Sequence, residues 1–186
     1  MIEDWIQCWQ SEGDEAAAEA LYDHFRLKLF RLAFGLLGDA DEAEDVMQET
    51  LKYALENISR FNPSRGQFGT WLHTIAVNRA RDKRRRNSTY RNMLARFGLN
   101  DKQEHHLSAE KIVSNRQQSD LLLEMVQTLP LEQREVVWLR YWAGHSFPEI
   151  SRIVGKPEGT VKSRLRLAHQ QLCKIVKIHP IDAGGF

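Results

Sequence analysis

The sequence has few of the features that define secreted, membrane-spanning or catalytic proteins. Its two cysteines, Cys8 and Cys173, lie near opposite ends and form no CxxC pair. They support neither a disulfide framework nor a zinc finger, and they favour a reducing, cytoplasmic location. No apolar run reaches the ~18 residues of a membrane span, and the acidic start at Met1–Trp5 predicts no secretory signal. Phosphate-binding glycine loops and hydrolase motifs are absent, so we predict neither an enzyme nor a cofactor.

The charged residues are distributed very unevenly, although the net charge of the 186 residues is only +1. Residues 1–59 carry 14 acidic and 4 basic side chains, whereas residues 60–96 carry 1 acidic and 10 basic side chains. Residues 97–186 carry 10 acidic and 12 basic side chains. A basic segment of this density favours a polyanionic partner even when the total charge is near zero.

Helical periodicity dominates the acidic first block. Apolar residues recur every three or four positions between Asp14 and Leu37, and Gly38 follows as a stop. A second helix is predicted from about Asp41, whose carboxylate suits an N-cap, to Ile58. Its apolar stripe is formed by Ala43, Val46, Met47, Leu51, Ala54 and Ile58, and the opposite face carries Asp45, Gln48, Glu49, Lys52 and Glu56. This face is either simply solvated or a docking surface.

Residues 59–69 form a predicted loop, because Pro63, Gly66 and Gly69 interrupt any periodicity. The loop contains Phe61 and Phe68 among polar and basic residues, which is unusual for a surface segment. Either the two rings pack into the core, or they stack on unpaired bases beside the neighbouring arginines.

A helix with two characters is predicted from Thr70 to Arg86. Its first half is apolar, whereas six of the eight residues in 79–86 are basic. Such a helix end is either a solvated terminus or a nucleic-acid surface, and the adjacent aromatic loop favours nucleic acid. Residues 87–115 have little apolar periodicity and are predicted to be a flexible linker, with a possible short helix at 93–97.

The last block has the pattern of a helix-turn-helix. Helices are predicted at 118–129 and 131–142, and Ser146 and Glu149 then form a capping box that opens a short helix. Gly155 makes the turn, Pro157 stands at a helix start, and a longer basic helix is predicted over 160–176. The alternative is a plain three-helix bundle with basic decoration. The predicted fold is therefore all-α, with two small helical domains joined by a flexible linker.

Four segments in a fixed order resemble the extracytoplasmic-function (ECF) sigma factors, which are promoter-specificity subunits of bacterial RNA polymerase. The first two are Asp45-Val46-Met47-Gln48-Glu49 and the T-W-L-x-x-I-A-x-N pattern from Thr70 to Asn78. The other two are Leu129-Pro130 with Arg134-Glu135-Val136, and Gly159-Thr160-Val161-Lys162-Ser163-Arg164. The resemblance covers about residues 14–176.

The resemblance implies four segments: 1–86 as sigma region 2, 87–115 as the linker, 116–178 as sigma region 4, and 179–186 as a tail. It implies contact with core RNA polymerase by Asp45, Val46, Gln48, Glu49 and Lys52. Binding of the melted −10 element is implied for Phe61, Asn62, Arg65, Gln67, Phe68, Asn78, Arg79, Arg81 and Lys83. Recognition of the duplex −35 element is implied for Thr160, Lys162, Ser163, Arg164 and Arg166.

The implied partners are bacterial core RNA polymerase, promoter DNA and an anti-sigma factor, in the cytoplasm and without membrane insertion. One departure from the family pattern is that Leu167 and His169 stand where many members have arginine. His169 and Cys173 have a spacing that can chelate a metal, but no third ligand is evident except His179, so we predict no metal site.

Two other functions remain open at this point. A simple helix-turn-helix regulator would bind duplex DNA without polymerase, but it would leave residues 14–86 without a role. An interaction protein that sequesters a partner through its acidic helices would need no DNA.

Overall fold

The computed structural model describes residues 1–96 and 116–178, and every regular element within these two stretches is helical. The predicted all-α class is therefore confirmed. The predicted linker beyond residue 96 and the predicted tail at 179–186 lie outside the described residues. The α-helices are α1 (Ile2–Glu12), α2 (Glu15–Leu37), α3 (Ala40–Glu56), α4 (Phe68–Arg96), α5 (Arg116–Gln127), α6 (Leu131–Tyr141), α7 (Phe147–Val154) and α8 (Glu158–Ile178).

The chain divides into two units, Met1–Ser108 and Ala109–Phe186. In the first unit, α2 packs against α1, α3 and α4, and α3 also packs against α4. The predicted apolar stripe of α2 is buried in full, as is that of α3, and both meet the apolar first half of α4. The buried residues at the centre are Leu21, Leu29, Leu36, Val46, Leu72, Ala76 and Val77. This core fixes the outward faces of α3 and α4.

In the second unit, α8 packs against α5, α6 and α7. Its buried side is formed by Val161, Leu165 and Ala168, and the preceding helices contribute the buried Leu139 and Ile150. Within the described stretches of both units, no helix is long and apolar enough to cross a membrane.

Helix α1 was not predicted, although its sequence carries a signal for it. Ile2, Trp5, Ile6 and Trp9 follow helical spacing, and Ile6 is buried. The helix is tied to the rest of the unit by two side-chain bonds to backbone carbonyls. The indole N–H of Trp9 donates to the Leu55 carbonyl at 3.0 Å, and the Gln10 amide donates to the Ile58 carbonyl at 2.9 Å.

Four predicted helix starts, those of α3, α4, α5 and α8, lie too late in the chain; α4 begins at Phe68 rather than Thr70, and α5 begins at Arg116 rather than residue 118. The carboxylate of Asp39, rather than Asp41, caps α3 and accepts the Glu42 N–H at 2.8 Å, because Asp39 is the last residue with an extended backbone. Helix α8 begins at Glu158, two residues before the predicted start, directly after Pro157.

The predicted end of the basic helix at Arg86 is also wrong, because α4 continues to Arg96. Residues 87–96, predicted as part of the linker, are therefore helical. Repulsion among the bases is offset by acidic neighbours: Asp82 lies 3.1 Å from Arg85 within the helix, and α3 supplies Asp45 and Glu49 from outside it. The segment boundaries at 86 and 116 stay predictions.

Candidate polymerase and nucleic-acid surfaces

The outward face of α3 is formed by most of the residues predicted to contact polymerase. Asp45, Gln48, Glu49 and Lys52 are all exposed. Val46 is the exception and a correction to the prediction, because it is buried in a cluster with Ala33 and Ala43. A β-branched side chain inside this core can support the docking face but cannot be part of it.

A ladder of polar contacts joins α3 to α4. The ammonium of Lys83 lies 2.5 Å from the Asp45 carboxylate, and the guanidinium of Arg79 lies 2.7 Å from that of Glu49. At the next level, the Asn87 amide donates to the Glu42 carboxylate. We call the two ion pairs Asp45–Lys83 and Glu49–Arg79 the charge ladder.

The charge ladder brings together residues for which the family resemblance implies two different partners. Asp45 and Glu49 were predicted to face polymerase, whereas Arg79 and Lys83 were predicted to face −10 DNA. Arg79 also lies over the Tyr53 ring of α3, with its Cζ 5.3 Å from the ring centroid. These two cations are therefore held against α3, where they help to fix the angle of α4.

Other predicted −10 residues on α4 lie on a different side of the helix. Asn78 is exposed, and its side-chain oxygen lies 3.5 Å from the guanidinium of the half-buried Arg81. Arg85 and Arg86 continue the exposed basic surface toward the end of the helix. The open face of α4 therefore starts at Asn78 and is basic beyond it.

The loop between α3 and α4 is held in shape by an aromatic cluster and by Asn62. The Phe61 ring packs on Phe68 and Trp71, with centroid distances of 5.1 and 5.7 Å. The side-chain Oδ1 of Asn62 accepts the Ser64 N–H at 2.9 Å and the Ser64 hydroxyl at 2.6 Å. Such a turn fixes the direction in which the following residues point.

Phe68 packs into the core, which corrects the prediction that its ring stacks on an unpaired base. It is buried at the start of α4 and also meets the Phe25 ring at 5.6 Å. Phe61 is half-buried, and Arg65 and Gln67 are exposed. Of the two phenylalanines, only Phe61 has ring surface available to a base.

The helix-turn-helix prediction for α7 and α8 is confirmed in its local chemistry. The Glu149 carboxylate accepts the Ser146 N–H at 2.8 Å and the Ser146 hydroxyl at 2.6 Å. These hydrogen bonds lower the pKa of Glu149, so its carboxylate stays ionised to more acidic pH than an ordinary glutamate. Gly155 ends α7 with φ of 66°, a left-handed conformation that favours glycine.

The outward face of α8 presents three of the five predicted −35 residues. Lys162, Ser163 and Arg166 are exposed, and Thr160 is half-buried. Arg164 instead turns toward α6, where its guanidinium lies 3.9 Å from the Glu132 carboxylate and its side chain is only 17% exposed. Arg164 was predicted to share the outward face with Lys162, and this prediction is wrong.

His169, which the sequence spacing pairs with Cys173, contacts another helix of the second unit. The His169 Nε2 lies 2.8 Å from the Tyr141 hydroxyl of α6. Among the residues that the structure describes, no group of three or more potential ligands could hold a metal ion. His179 lies outside them.

Arg134 has a structural role that was not predicted, although the residue is part of one of the four family-like segments. It is buried, and its guanidinium donates to the carbonyl oxygen of Leu129 at 3.0 Å and to the Gln127 side chain and carbonyl. An arginine at this position satisfies carbonyl groups at the end of α5 and matches its dipole. The Leu129-Pro130 to Arg134 segment thus fixes the α5–α6 corner.

Two family models match the chain, one in each unit. Residues 21–90 match Sigma-70 region 2, and residues 119–172 match Sigma-70 region 4. The region 2 match includes α3 and most of α4, and the region 4 match includes α7 and most of α8.

Curated relatives match along nearly the whole chain. SigL of Mycobacterium tuberculosis, an ECF RNA polymerase sigma factor, is 34% identical over 160 residues, which are 86% of this chain and 89% of SigL. SigW of Bacillus subtilis, which has the same description, is 31% identical over 88% of this chain and 90% of SigW. BldN of Streptomyces coelicolor is 32% identical over 92% of this chain, which spans 63% of the length of BldN.

A solved structure supports the fold. The sigma factor RpoE of Bartonella quintana, in complex with the anti-sigma factor NepR, aligns with a TM-score of 0.69 over 87% of this chain and 97% of RpoE, at 24% identity. The two matched regions and the relatives together define the class: the chain belongs to the ECF family of RNA polymerase sigma factors. Its activity is promoter-specific initiation of transcription with RNA polymerase.

Proposed function

We propose that the two units divide promoter recognition between them. The first unit binds core RNA polymerase through the outward face of α3 and holds the melted −10 element against the α3–α4 loop and the open face of α4. The second unit places α8 in the major groove of the −35 element. The chain acts by binding and orienting its partners, with no catalytic step of its own.

The observation that carries the polymerase contact is a polar stripe along α3. Asp45, Gln48 and Lys52 are spaced three and four residues apart and are all exposed, so they lie one above another on the helix surface. The carboxylate of Asp45 keeps 60% of its side-chain surface exposed although Lys83 contacts it. A basic or polar helical surface of the polymerase can therefore approach Asp45 without displacing Lys83.

The −10 contact is supported by the chemistry of the loop. Phe61 offers a half-buried ring that its aromatic neighbours hold in place, and the exposed Arg65 follows it in the chain. An aromatic face with adjacent cations suits unpaired bases and their phosphates. Asn78 and Arg81 extend this polar surface onto α4.

The −35 contact is supported by the exposed face of α8. A recognition helix typically inserts its N-terminal residues into the major groove, and Lys162, Ser163 and Arg166 lie in the first half of α8. Lysine and arginine are the side chains that pair most often with guanine edges. Arg164 acts through the fold of the unit rather than through a base.

We further propose that an anti-sigma factor binds the chain in the cytoplasm, where polymerase is found. RpoE was solved with the anti-sigma factor NepR, and CnrH, which aligns with a TM-score of 0.66 at 22% identity, was solved with the cytosolic domain of CnrY. An inhibitor that covers the polymerase-binding face of α3 would keep the chain inactive.

A pull-down on immobilised core RNA polymerase tests the α3 contact. Asp45→Arg places a cation on the docking stripe, and reversing one partner of an interfacial charge contact should weaken core binding at least ~30-fold. Asp23→Arg is the matched control, because Asp23 on α2 is also 60% exposed and also forms an ion pair, with Arg26 at 3.2 Å. Core binding should survive in the control. Wild-type affinity of Asp45→Arg would contradict the proposed docking face.

A further inference from the structure

Phe147, the first residue of α7, lies between two cations from two other helices. The Arg140 Cζ of α6 lies 5.1 Å from the centroid of its ring, and the Lys162 Nζ of α8 lies 5.4 Å from it. Both distances are within the range of cation–π attraction. The sequence pattern and the family resemblance assign no role to Phe147.

The backbone that carries Phe147 is fixed from both sides. The capping box holds the preceding residue, Ser146, through both of its hydrogen bonds to Glu149. One residue earlier, the His145 N–H donates to the Leu139 carbonyl at 2.9 Å. The His145 carbonyl in turn accepts a hydrogen bond from the Arg140 guanidinium at 3.0 Å. The Phe147 ring therefore stands at a set position, and Arg140 is tied beside it.

Lys162 itself has few restraints. Its side chain is 57% exposed, and its other close contact is a 3.8 Å ion pair with Glu158, one turn earlier on α8. An exposed lysine samples many rotamers, and ordering one on binding costs conformational entropy. A fixed aromatic face next to the ammonium reduces that loss, and it offsets the pull of Glu158 toward the start of the helix.

We propose that Phe147 is a positioning residue that holds the Lys162 ammonium in the orientation in which it meets −35 DNA. This inference rests on the proposed function of α8. Phe147 acts through Lys162. Its contribution to DNA affinity is the part of the cation–π attraction to the Lys162 ammonium that remains when Lys162 is bound to DNA. That contact corresponds to a factor of about 2 to 5 in affinity at an exposed site.

The test is a double-mutant cycle on the affinity of polymerase holoenzyme for a promoter fragment that carries the −35 element. Phe147→Leu should weaken binding about 2- to 5-fold, whereas Phe147→Tyr and Phe147→Trp, which retain an aromatic face, should keep wild-type affinity. In a Lys162→Met background, Phe147→Leu should cause no further loss. A structural role alone would produce the same loss in both backgrounds.

A second variant tests the cation–π contact without changing the size of the aromatic ring. Replacing Phe147 with pentafluorophenylalanine keeps the size of the ring but removes the negative face that attracts cations, and it should reproduce the loss seen with Phe147→Leu. An unchanged affinity for this variant, or an equal loss in the Lys162→Met background, would overturn the inference. If Lys162→Met alone leaves −35 binding unchanged, the proposed function of Lys162 fails, which is a separate result.

Discussion

The two basic helices of the chain, α4 and α8, have similar charge patterns but different surroundings. On α4, Arg79 and Lys83 are about 30% exposed and pair with carboxylates of α3. On α8, the Lys162 side chain is 57% exposed and its ion pair is with its own helix. The neighbouring helix makes the difference: α3 presents acids to α4, whereas α7 presents the uncharged ring of Phe147 to Lys162.

This contrast shows that a basic stretch is not by itself a nucleic-acid surface. In α4 part of the charge stabilises a helix–helix contact, whereas Arg85 and Arg86 further along the helix are exposed. On α8, Arg164 is the one residue that turns inward among the three basic residues predicted to contact −35 DNA. Burial and pairing decide which cations can meet a phosphate.

Among substitutions in the two basic helices, the largest effect should come from the exposed cations of α8. Lys162→Ala with Arg166→Ala should weaken holoenzyme binding to a promoter at least ~10-fold at low salt. Removing two cations that neutralise phosphates should also lower the slope of log K against log salt by about 2. Lys174→Ala, an exposed position further along α8, is the control. If all three substitutions lowered affinity equally, the face would act only as diffuse positive charge.

An effect of intermediate size is expected at Arg164, which should contribute more to the stability of the second unit than Arg166 does. Arg164→Ala should lower the free energy of unfolding of the second unit by about 1 kcal/mol, because the side chain packs against α6 as well as pairing with Glu132. Arg166→Ala should change it by less than about 0.5 kcal/mol. Urea denaturation of the full chain measures both values. Equal stability of the two variants would place Arg164 back on the open face.

The smallest effect should come from the charge ladder. Arg79→Met and Lys83→Met should each lower the free energy of unfolding by no more than about 1 kcal/mol, because their carboxylate partners are largely exposed. The loss should shrink as salt screens the ion pairs. Arg86→Met, an exposed position on the same helix, should have no such salt-dependent loss. A salt-independent loss in Arg79→Met would indicate packing on Tyr53 instead.

Much of the fold follows from local signals in the sequence. The apolar stripe of α2, the stop at Gly38 and the capping box of α7 each depend on residues within a few positions of one another, and all three are confirmed. The start of α3 was wrong by two residues because two aspartates, Asp39 and Asp41, both suit an N-cap. Just past the predicted end of α4, Asn87 donates a hydrogen bond to Glu42 of α3, and a local pattern does not contain such a contact.

The candidate surfaces were less predictable for the same reason. The burial of Val46 could have been inferred, because it belongs to the apolar stripe of α3 that the periodicity had already defined. The inward turn of Arg164 depends on Glu132, 32 positions away in the chain. The burial of Phe68 depends on Phe25, in a different helix. The motif located the functional helices, but only the packing shows which side of each helix is open.

The central claim is that Asp45 faces polymerase while it also pairs with Lys83, and a charge swap separates the two roles. The double variant Asp45→Lys/Lys83→Asp exchanges the partners, so the internal ion pair can re-form while the charge on the docking stripe is reversed. We expect a thermal midpoint close to wild type and core polymerase binding that is still lost, whereas Lys83→Asp alone should keep most of its binding. Recovery of wild-type core binding in the double variant would contradict the account, because Asp45 would then serve only the fold.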